Sequence, residues 1–276
     1  MDRRACLKGI CAVAATSALS CRCGKAIAQT VGASPQVCTE IEIENLDIAF
    51  SVATAEFKGN HPGANRTKAA ALLNKKWNPR RKLLNVDFLT EPSFIDKVIA
   101  NAKLWQPYMG ISFQFGKGAP NILVAFEAGG SWSDIGTDCT VSVSQGAPSM
   151  NLGWFGAETT DAEFTRTTVH EFGHALGLIH EHSHPGVDIP WNETNVFAYY
   201  EKLGWGPDKV RKNIFKKYDA SQLNFSSYDR SSIMHYSIPR EFVLDEKFAV
   251  ERPWILSALD KQFVASNYPK APVRLP

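Results

Sequence analysis

The most constraining stretch of this 276-residue chain is Thr160 to His180, which reads T-D-A-E-F-T-R-T-T-V-H-E-F-G-H-A-L-G-L-I-H. Thr160-Asp161-Ala162-Glu163 is a capping-box signature, S/T-x-x-E, so a helix is expected to start there and run to about Leu176. On a helix, positions i and i+4 lie one above the other, so the imidazoles of His170 and His174 can reach a single ion. Glu171 points about 100° around the helix from His170 and can reach a water on that ion. This is the H-E-x-x-H arrangement, for which Zn²⁺ is the usual metal and the glutamate the general base. Three residues beyond His174 comes Gly177, and three beyond that His180. A straight helix would carry His180 away from the metal. A glycine with positive φ can end the helix and turn the chain back, which makes His180 the third ligand. Three neutral imidazoles with one open position describe a catalytic zinc site rather than a closed structural one. His182 and His184 lie outside this spacing, beside Pro185, and read as solvated loop residues.

Composition excludes several other classes. Hydrophobic residues make up 44% and charged residues 21%, values of an ordinary globular chain rather than a disordered or fibrous one. The formal charge of +2 and the lack of any Lys/Arg stripe argue against nucleic acid as a partner. No apolar run reaches the roughly 18 residues of a membrane helix.

The N-terminus reads as an address. Arg3, Arg4 and Lys8 precede a short run of small and apolar residues, and Ala26-Ile27-Ala28 offers an A-x-A cleavage site. Arg3-Arg4 followed by Cys6-Leu7-Lys8 resembles the bacterial twin-arginine signal; an ordinary Sec signal and a lipoprotein signal ending at Cys21 are the alternatives. Residues 1–28 are therefore expected to be an export signal, and the product is expected in the periplasm or the medium. Residues 29–276 carry a formal charge of −2, and Cys38 and Cys139 are their only cysteines. An oxidising compartment would permit one disulfide between these two, and two separate buried thiols are equally consistent.

Residues 29–75 show no strong periodicity and are expected to be a linker or pro-segment. Beyond Trp77 the pattern tightens. Leu84, Val86 and Phe88 alternate as in a strand, residues 92–106 have helical spacing, Ile111, Phe113 and Phe115 alternate again, and Ile122 to Phe126 is a short apolar run. Val141 and Val143 suggest a further strand. Residues 190–256 show short helical patches broken by Gly204, Gly206 and Pro207, and Ser257-Ala258-Leu259-Asp260 marks the cap of a last helix ending near Tyr268-Pro269.

The string H-E-x-x-H-x-x-G-x-x-H is the metzincin signature. Downstream, Tyr228-Asp229 and Ser232-Ile233-Met234-His235-Tyr236 form Y-D-x-x-S-I-M-H-Y, which closely resembles the Met-turn of the astacins. Gly130 to Gly136, G-S-W-S-D-I-G, is similar to the astacin segment G-C-W-S-x-V-G, and Glu181 after His180 also matches. The resemblance spans roughly residues 76–270. It departs from the family at Leu178, where Phe is usual, at His182-Ser183-His184-Pro185-Gly186, and in lacking the cysteines for the family's two disulfides.

The resemblance implies an α+β metzincin-type zinc peptidase, read as a bacterial, disulfide-poor member with a catalytic domain over 76–272. Its expected parts are an N-terminal twisted mixed sheet with two long helices, then a C-terminal irregular subdomain with the Met-turn and a last helix. It implies Zn²⁺ on His170, His174 and His180, with Glu171 as general base. It further implies Met234 beneath the imidazoles and Tyr236 as a movable fifth ligand that reaches the oxyanion. A protein or peptide substrate would add as a strand to an edge near Val141–Ser144. An amidase acting on cell-wall peptides and a non-catalytic zinc-bearing binding protein are the alternatives. Phe57-Lys58-Gly59-Asn60 resembles the F-x-G-D element of astacin pro-segments, with Asn60 in place of the zinc-binding Asp. His61 would be the substitute ligand there, and a plain Gly/Asn/Pro surface turn is the competing reading.

Overall fold

Leu84 and Val86 carry no exposed surface, whereas Leu83 on the same strand is nearly half exposed, so β1 (Leu83–Phe88) turns one face into the core as its alternation requires. Around it the structure, a computed structural model, describes residues 36–41, 43, 46–60, 75–218 and 227–270. The chain divides into Met1–Ala33 and Ser34–Pro276, and all described residues belong to the second unit. The export signal expected over residues 1–28 lies outside the described residues.

Five strands form one mixed sheet in the order β2-β1-β3-β5-β4. β2 (Ser112–Phe115) and β3 (Ile122–Ala125) run parallel to β1, β5 (Met150–Leu152) runs parallel to β3, and β4 (Ser131–Ser133) runs antiparallel to β5. β4 is thus an edge strand of the sheet. Between β1 and β2 lies α2 (Ile95–Ala102), which continues as a 3₁₀ turn through Lys103–Tyr108 around Pro107. The single helix expected over 92–106 is therefore an α segment with a tightened end.

The capping expectations hold at both helices. α4 (Asp161–Ala175) starts at Thr160, whose side chain accepts from the Glu163 N–H. α6 (Ala258–Asn267) carries a full capping box between Ser257 and Asp260. Two other expectations are corrected. Val141 and Val143 lie in a helix, α3 (Asp138–Ser144), not in a strand. Turn bonds from Cys139 N–H to Gly136 O and from Thr140 N–H to Thr137 O wind the chain before the valines are reached. A five-residue alternation is too short to resist that. Residues 29–75, read as having no strong pattern, contain α1 (Leu46–Asn60), whose Ala49 and Ala53 are buried and whose Glu56 pairs with Arg81 and accepts from Asn78 N–H.

One core cluster joins the sheet to α2 and α4 through Leu84, Val86, Val98, Trp105, Ile122 and Phe172, and it extends to Met234, Val264 and Tyr268. A second gathers Val196, Tyr200 and Trp205 from α5 (Glu193–Lys202) and the loop after it, with Tyr236, Ile238 and Cys38. Met234 and Tyr236, two residues apart, belong to different clusters, so the Met-turn is where the two halves meet. Cys38 and Cys139 are both buried and free, so the disulfide reading is set aside.

Gly136 couples the sheet to α4. It has φ +55°, donates its N–H to His174 O at 2.9 Å, and lies so close to Lys75 O that a Cβ would sit 1.7 Å from that oxygen. Lys75 O is itself held by the Thr137 N–H at 2.8 Å and cannot retreat freely. Gly136→Ala is expected to destabilise the fold by about 2–3 kcal/mol or more, read as a fall in the denaturant midpoint; an unchanged midpoint would contradict this packing.

Candidate metal centre

α4 reaches its end under a tight constraint. Gly177 has φ +94°, its N–H donates to His174 O at 2.7 Å, and Leu178 N–H donates to Gly173 O at 3.1 Å. This pair of bonds is a Schellman motif, and it reverses the chain as the glycine spacing requires. The Leu178 carbonyl thereby comes back beneath His174 and takes its Nδ1–H at 2.9 Å. Three aromatic donors fix the same helix: Trp105 Nε1–H to Val169 O, Trp77 Nε1–H to Ala175 O, and Tyr268 O–H to Leu176 O, all within 2.9 Å. Each bond is worth about 1 kcal/mol net. Together they prevent the terminal turns that carry both histidines from fraying.

The Met-turn closes from below. A Cβ on Gly173 would meet Met234 Sδ at 2.5 Å, so only glycine lets the thioether sit against the helix. Ile233 O accepts from His170 Nδ1–H at 2.8 Å, and Met234 O accepts from Glu181 N–H. Asp260, named in the sequence only as part of a helix cap, anchors this turn. One carboxylate oxygen accepts from the Ser232 hydroxyl at 2.6 Å, and the other accepts from the N–H groups of Ile233 and Ser257.

His170, His174 and His180 are brought together as their spacing predicts. The Nε2 atoms of His170 and His174 are 3.2 Å apart, and those of His174 and His180 are 3.0 Å apart. All three rings are buried. Since the Nδ1 atoms of His170 and His174 face carbonyls, they carry the protons, and bare Nε2 lone pairs face one another. Burial pushes His174 down to about 4 and moves His170 and His180 well below the usual imidazole value, so the rings are neutral. Facing lone pairs at this separation repel unless a cation lies among them. A tetrahedral Zn²⁺ with bonds of about 2.0–2.1 Å fits this donor set, and the carbonyl partners are the usual second shell that orients such ligands. Glu171 is also buried. Its Oε2 accepts from Cys38 Sγ at 3.3 Å, while Oε1 has no hydrogen-bond partner among the described residues. Burial pushes this carboxyl up to about 8, against the lowering influence of the Cys38 hydrogen bond and of Arg166.

The Tyr236 ring lies 4.4 Å from that of His180, and its hydroxyl donates to Cys38 O. His182 and His184 are not solvated, contrary to expectation. Both are buried, with His182 stacked on Tyr236 at 4.2 Å and its Nε2 against Asn213 O at 2.9 Å. Burial pushes His182 down to about 3. A local reading sees only the neighbouring proline; the burial comes from residues 31 and 54 positions away.

Sequence reasoning missed Cys38. Its Sγ belongs with the ligand nitrogens of His170, His174 and His180 in a group whose atoms all lie within 4.8 Å of one another. No spacing rule links a residue 132 positions upstream to the motif. Of the latency element expected at Phe57 to His61, Asn60 ends α1 and His61 lies outside the described residues.

Residues 70–248 match the family model described as Astacin (Peptidase family M12A). The chain belongs to the astacin family of zinc metallopeptidases. Among curated proteins it is similar to zinc metalloproteinase nas-23 of Caenorhabditis elegans, 29% identical over 189 residues, which cover 65% of this chain and 31% of that protein. It is also similar to protein SpAN of Strongylocentrotus purpuratus, 34% identical over 113 residues, 40% of this chain and 15% of that one. The chain thus spans about a third or less of the length of these curated relatives. Among solved structures, myroilysin is 42% identical with a TM-score of 0.67, covering 71% of this chain and 97% of that one. A hatching-enzyme zinc-protease of the medaka fish Oryzias latipes, high choriolytic enzyme 1, shares the fold at 18% identity and TM-score 0.53, covering 76% of this chain and 100% of that one. The α+β metzincin fold and zinc as the metal thus stand on the family as well as on the geometry.

Asp260→Ala removes the acceptor for three donors of the Met-turn and the last helix cap. Stability is expected to fall by about 3 kcal/mol or more, and zinc is expected to be lost at lower chelator concentration. Equilibrium unfolding and a chelator titration check both, and wild-type values in either would dissociate Asp260 from the centre.

Proposed function

We propose that this chain is an exported zinc-dependent endopeptidase acting on proteins or peptides, with Glu171 as general base and Tyr236 as oxyanion donor. The observation that carries the reading is the buried Glu171 carboxyl group, with one oxygen unpaired among the described residues and one residue from His170 on the same helix. A site that only held a metal would have no use for an unpaired buried acid, which costs free energy to desolvate. When bound, Zn²⁺ supplies a Lewis acid and lowers the pKa of water towards about 7. Glu171 takes the water proton as the scissile carbonyl is attacked and returns it to the departing amine. His170 and His174 keep one tautomer throughout, because Ile233 O and Leu178 O hold their Nδ1 protons. Tyr236, stacked on His182 and tilted against His180, would swing its hydroxyl onto the developing oxyanion.

The substrate strand belongs on β4. β4 is an edge strand, and its Ser131 O accepts from the Thr39 N–H at 3.1 Å, so that carbonyl is open to a backbone donor from outside the sheet. This replaces the edge expected at Val141–Ser144, which is helical. Arg3, Arg4 and the A-x-A site at Ala26 to Ala28 support export.

Glu171→Gln is expected to retain zinc and to lose about 10²–10⁴-fold in peptide hydrolysis. Metal analysis beside casein hydrolysis, on the full chain before and after limited proteolysis, checks this; near wild-type turnover would remove Glu171 from the role of base. Tyr236→Phe is expected to lower kcat by about 10²-fold with little change in KM and no loss of zinc. An unchanged kcat in steady-state kinetics would show that the hydroxyl does not act on the transition state.

A further inference from the structure

We infer that Arg166, with Arg252 beside it, forms an anion subsite that takes the carboxylate of an acidic residue in the peptide substrate. This rests on the zinc endopeptidase reading above and names the substrate class of the same site.

Arg166 is a buried cation without a bonded partner. It lies on α4 one turn before His170, and only 4% of its surface is exposed. Its Nε is buried with no hydrogen-bond partner, and the guanidinium forms no ion pair among the described residues. Two carboxylates are near enough to favour its charge, those of Glu163 and Glu171, and neither is bonded to it. Glu163 Oε1 accepts from Trp154 Nε1–H at 3.2 Å, from the Thr167 hydroxyl at 2.6 Å and from Arg252 at 2.9 Å. Glu171 lies five residues on and points about 140° around the helix from Arg166, and its Oε2 accepts from Cys38. Burial depresses the Arg166 pKa and the nearby Arg252 adds to this, yet a guanidinium keeps its proton in a protein. A lone buried charge is among the costliest groups in a fold. Methionine would fill the same place without that cost, so packing does not account for the arginine.

The guanidinium faces the metal centre. Its field favours the charged forms of Glu171 and Cys38 and disfavours those of His170, His174 and His180. Arg166 and His170 are an i, i+4 pair, so they share one helix face about 5.4 Å apart along the axis. Arg252 reaches the same place from the loop before α6, with a quarter of its side chain exposed. Its Nη2 bonds Glu163, and its Nη1 donates to Gln36 Oε1 at 3.4 Å, so an acceptor oxygen already rests on this arginine. That amide is neutral and leaves Arg166 uncompensated. Arg166 and Arg252 repel each other across the site, and a carboxylate there would be attracted to both. Guanidinium suits this task, because two of its N–H groups match the two oxygens of a carboxylate. An extended peptide advances about 3.3 Å per residue. The acidic residue therefore belongs within about two positions of the scissile bond.

The experiment uses the zinc-loaded full chain after limited proteolysis and a set of peptides that differ in one residue. Glu or its neutral isostere Gln is placed in turn at each of the two positions on either side of the scissile bond. At one position the wild type should cleave the Glu peptide with a kcat/KM at least about tenfold above that of the Gln peptide, equal to about 1.4 kcal/mol. Arg166→Met should abolish that preference. Arg166→Lys, which keeps the charge but not the planar fork, should retain part of it. Comparing the two peptides within each enzyme cancels any change in zinc content or in Glu171, since both peptides share them. No Glu preference at any position, or a preference that survives Arg166→Met, would overturn the subsite and leave the peptidase reading intact. A wild type that cleaves none of the peptides would overturn both. Should Arg166→Met fail to fold, the wild-type ratio and Arg166→Lys still decide: no Glu preference, or one that Arg166→Lys leaves undiminished, refutes the proposal.

Discussion

Three imidazoles whose Nε2 atoms lie 3.0 and 3.2 Å apart in a buried site can share one ion only if each ring is held in place, and most of the surrounding structure serves to hold them. Nothing local to the motif can do this. The Schellman turn at Gly177 brings His180 back, but a helix end that frays would release it. Trp77, Trp105 and Tyr268 prevent that, each contributing one hydrogen bond to the last turns of α4. Their indole and phenol groups come from three distant parts of the chain, so the helix end is stable only in the folded domain.

The Met-turn adds the second support, and its geometry explains two glycines at once. Gly173 is empty because Met234 sulfur fills the place of a Cβ, and Gly136 is empty because Lys75 O does. Close approach on both sides of α4 leaves no slack. Asp260 then links the Met-turn to the cap of the last helix, so metal geometry and the C-terminal helix are mechanically coupled. Three hydrogen bonds to one buried carboxylate offset the cost of burying it.

Two features flank the metal centre: β4 lies at the edge of the sheet, and the Tyr236 ring lies against His180. The chain's own Gln36–Ile41 segment meets both features through Thr39 and Cys38. Lys216 and Tyr218 hold the acidic Glu40 beside it. His182, stacked behind Tyr236, restricts the ring from the opposite side and is buried for that reason.

The sequence by itself determined the cluster of His170, His174 and His180, the place of Glu171 beside it, the turn at Met234 and both helix caps. In each case the determinant is local: 3.6-residue periodicity, one glycine with positive φ, or a side chain bonding to a backbone N–H three residues away. Strands β1 to β3 were legible for the same reason. The tertiary structure decided the rest. Val141 and Val143 became helical because turn bonds from Gly136 and Thr137 outweigh a short alternation. His182 became buried because Tyr236 and Asn213 cover it from elsewhere in the chain, and His184 is buried beside Tyr228. Cys38 took its place among the imidazoles, and Asp260 under the Met-turn, through contacts spanning 132 and 27 residues. Contacts of that kind leave no periodicity or spacing in a single sequence, since only the closure of the whole fold brings such residues within reach.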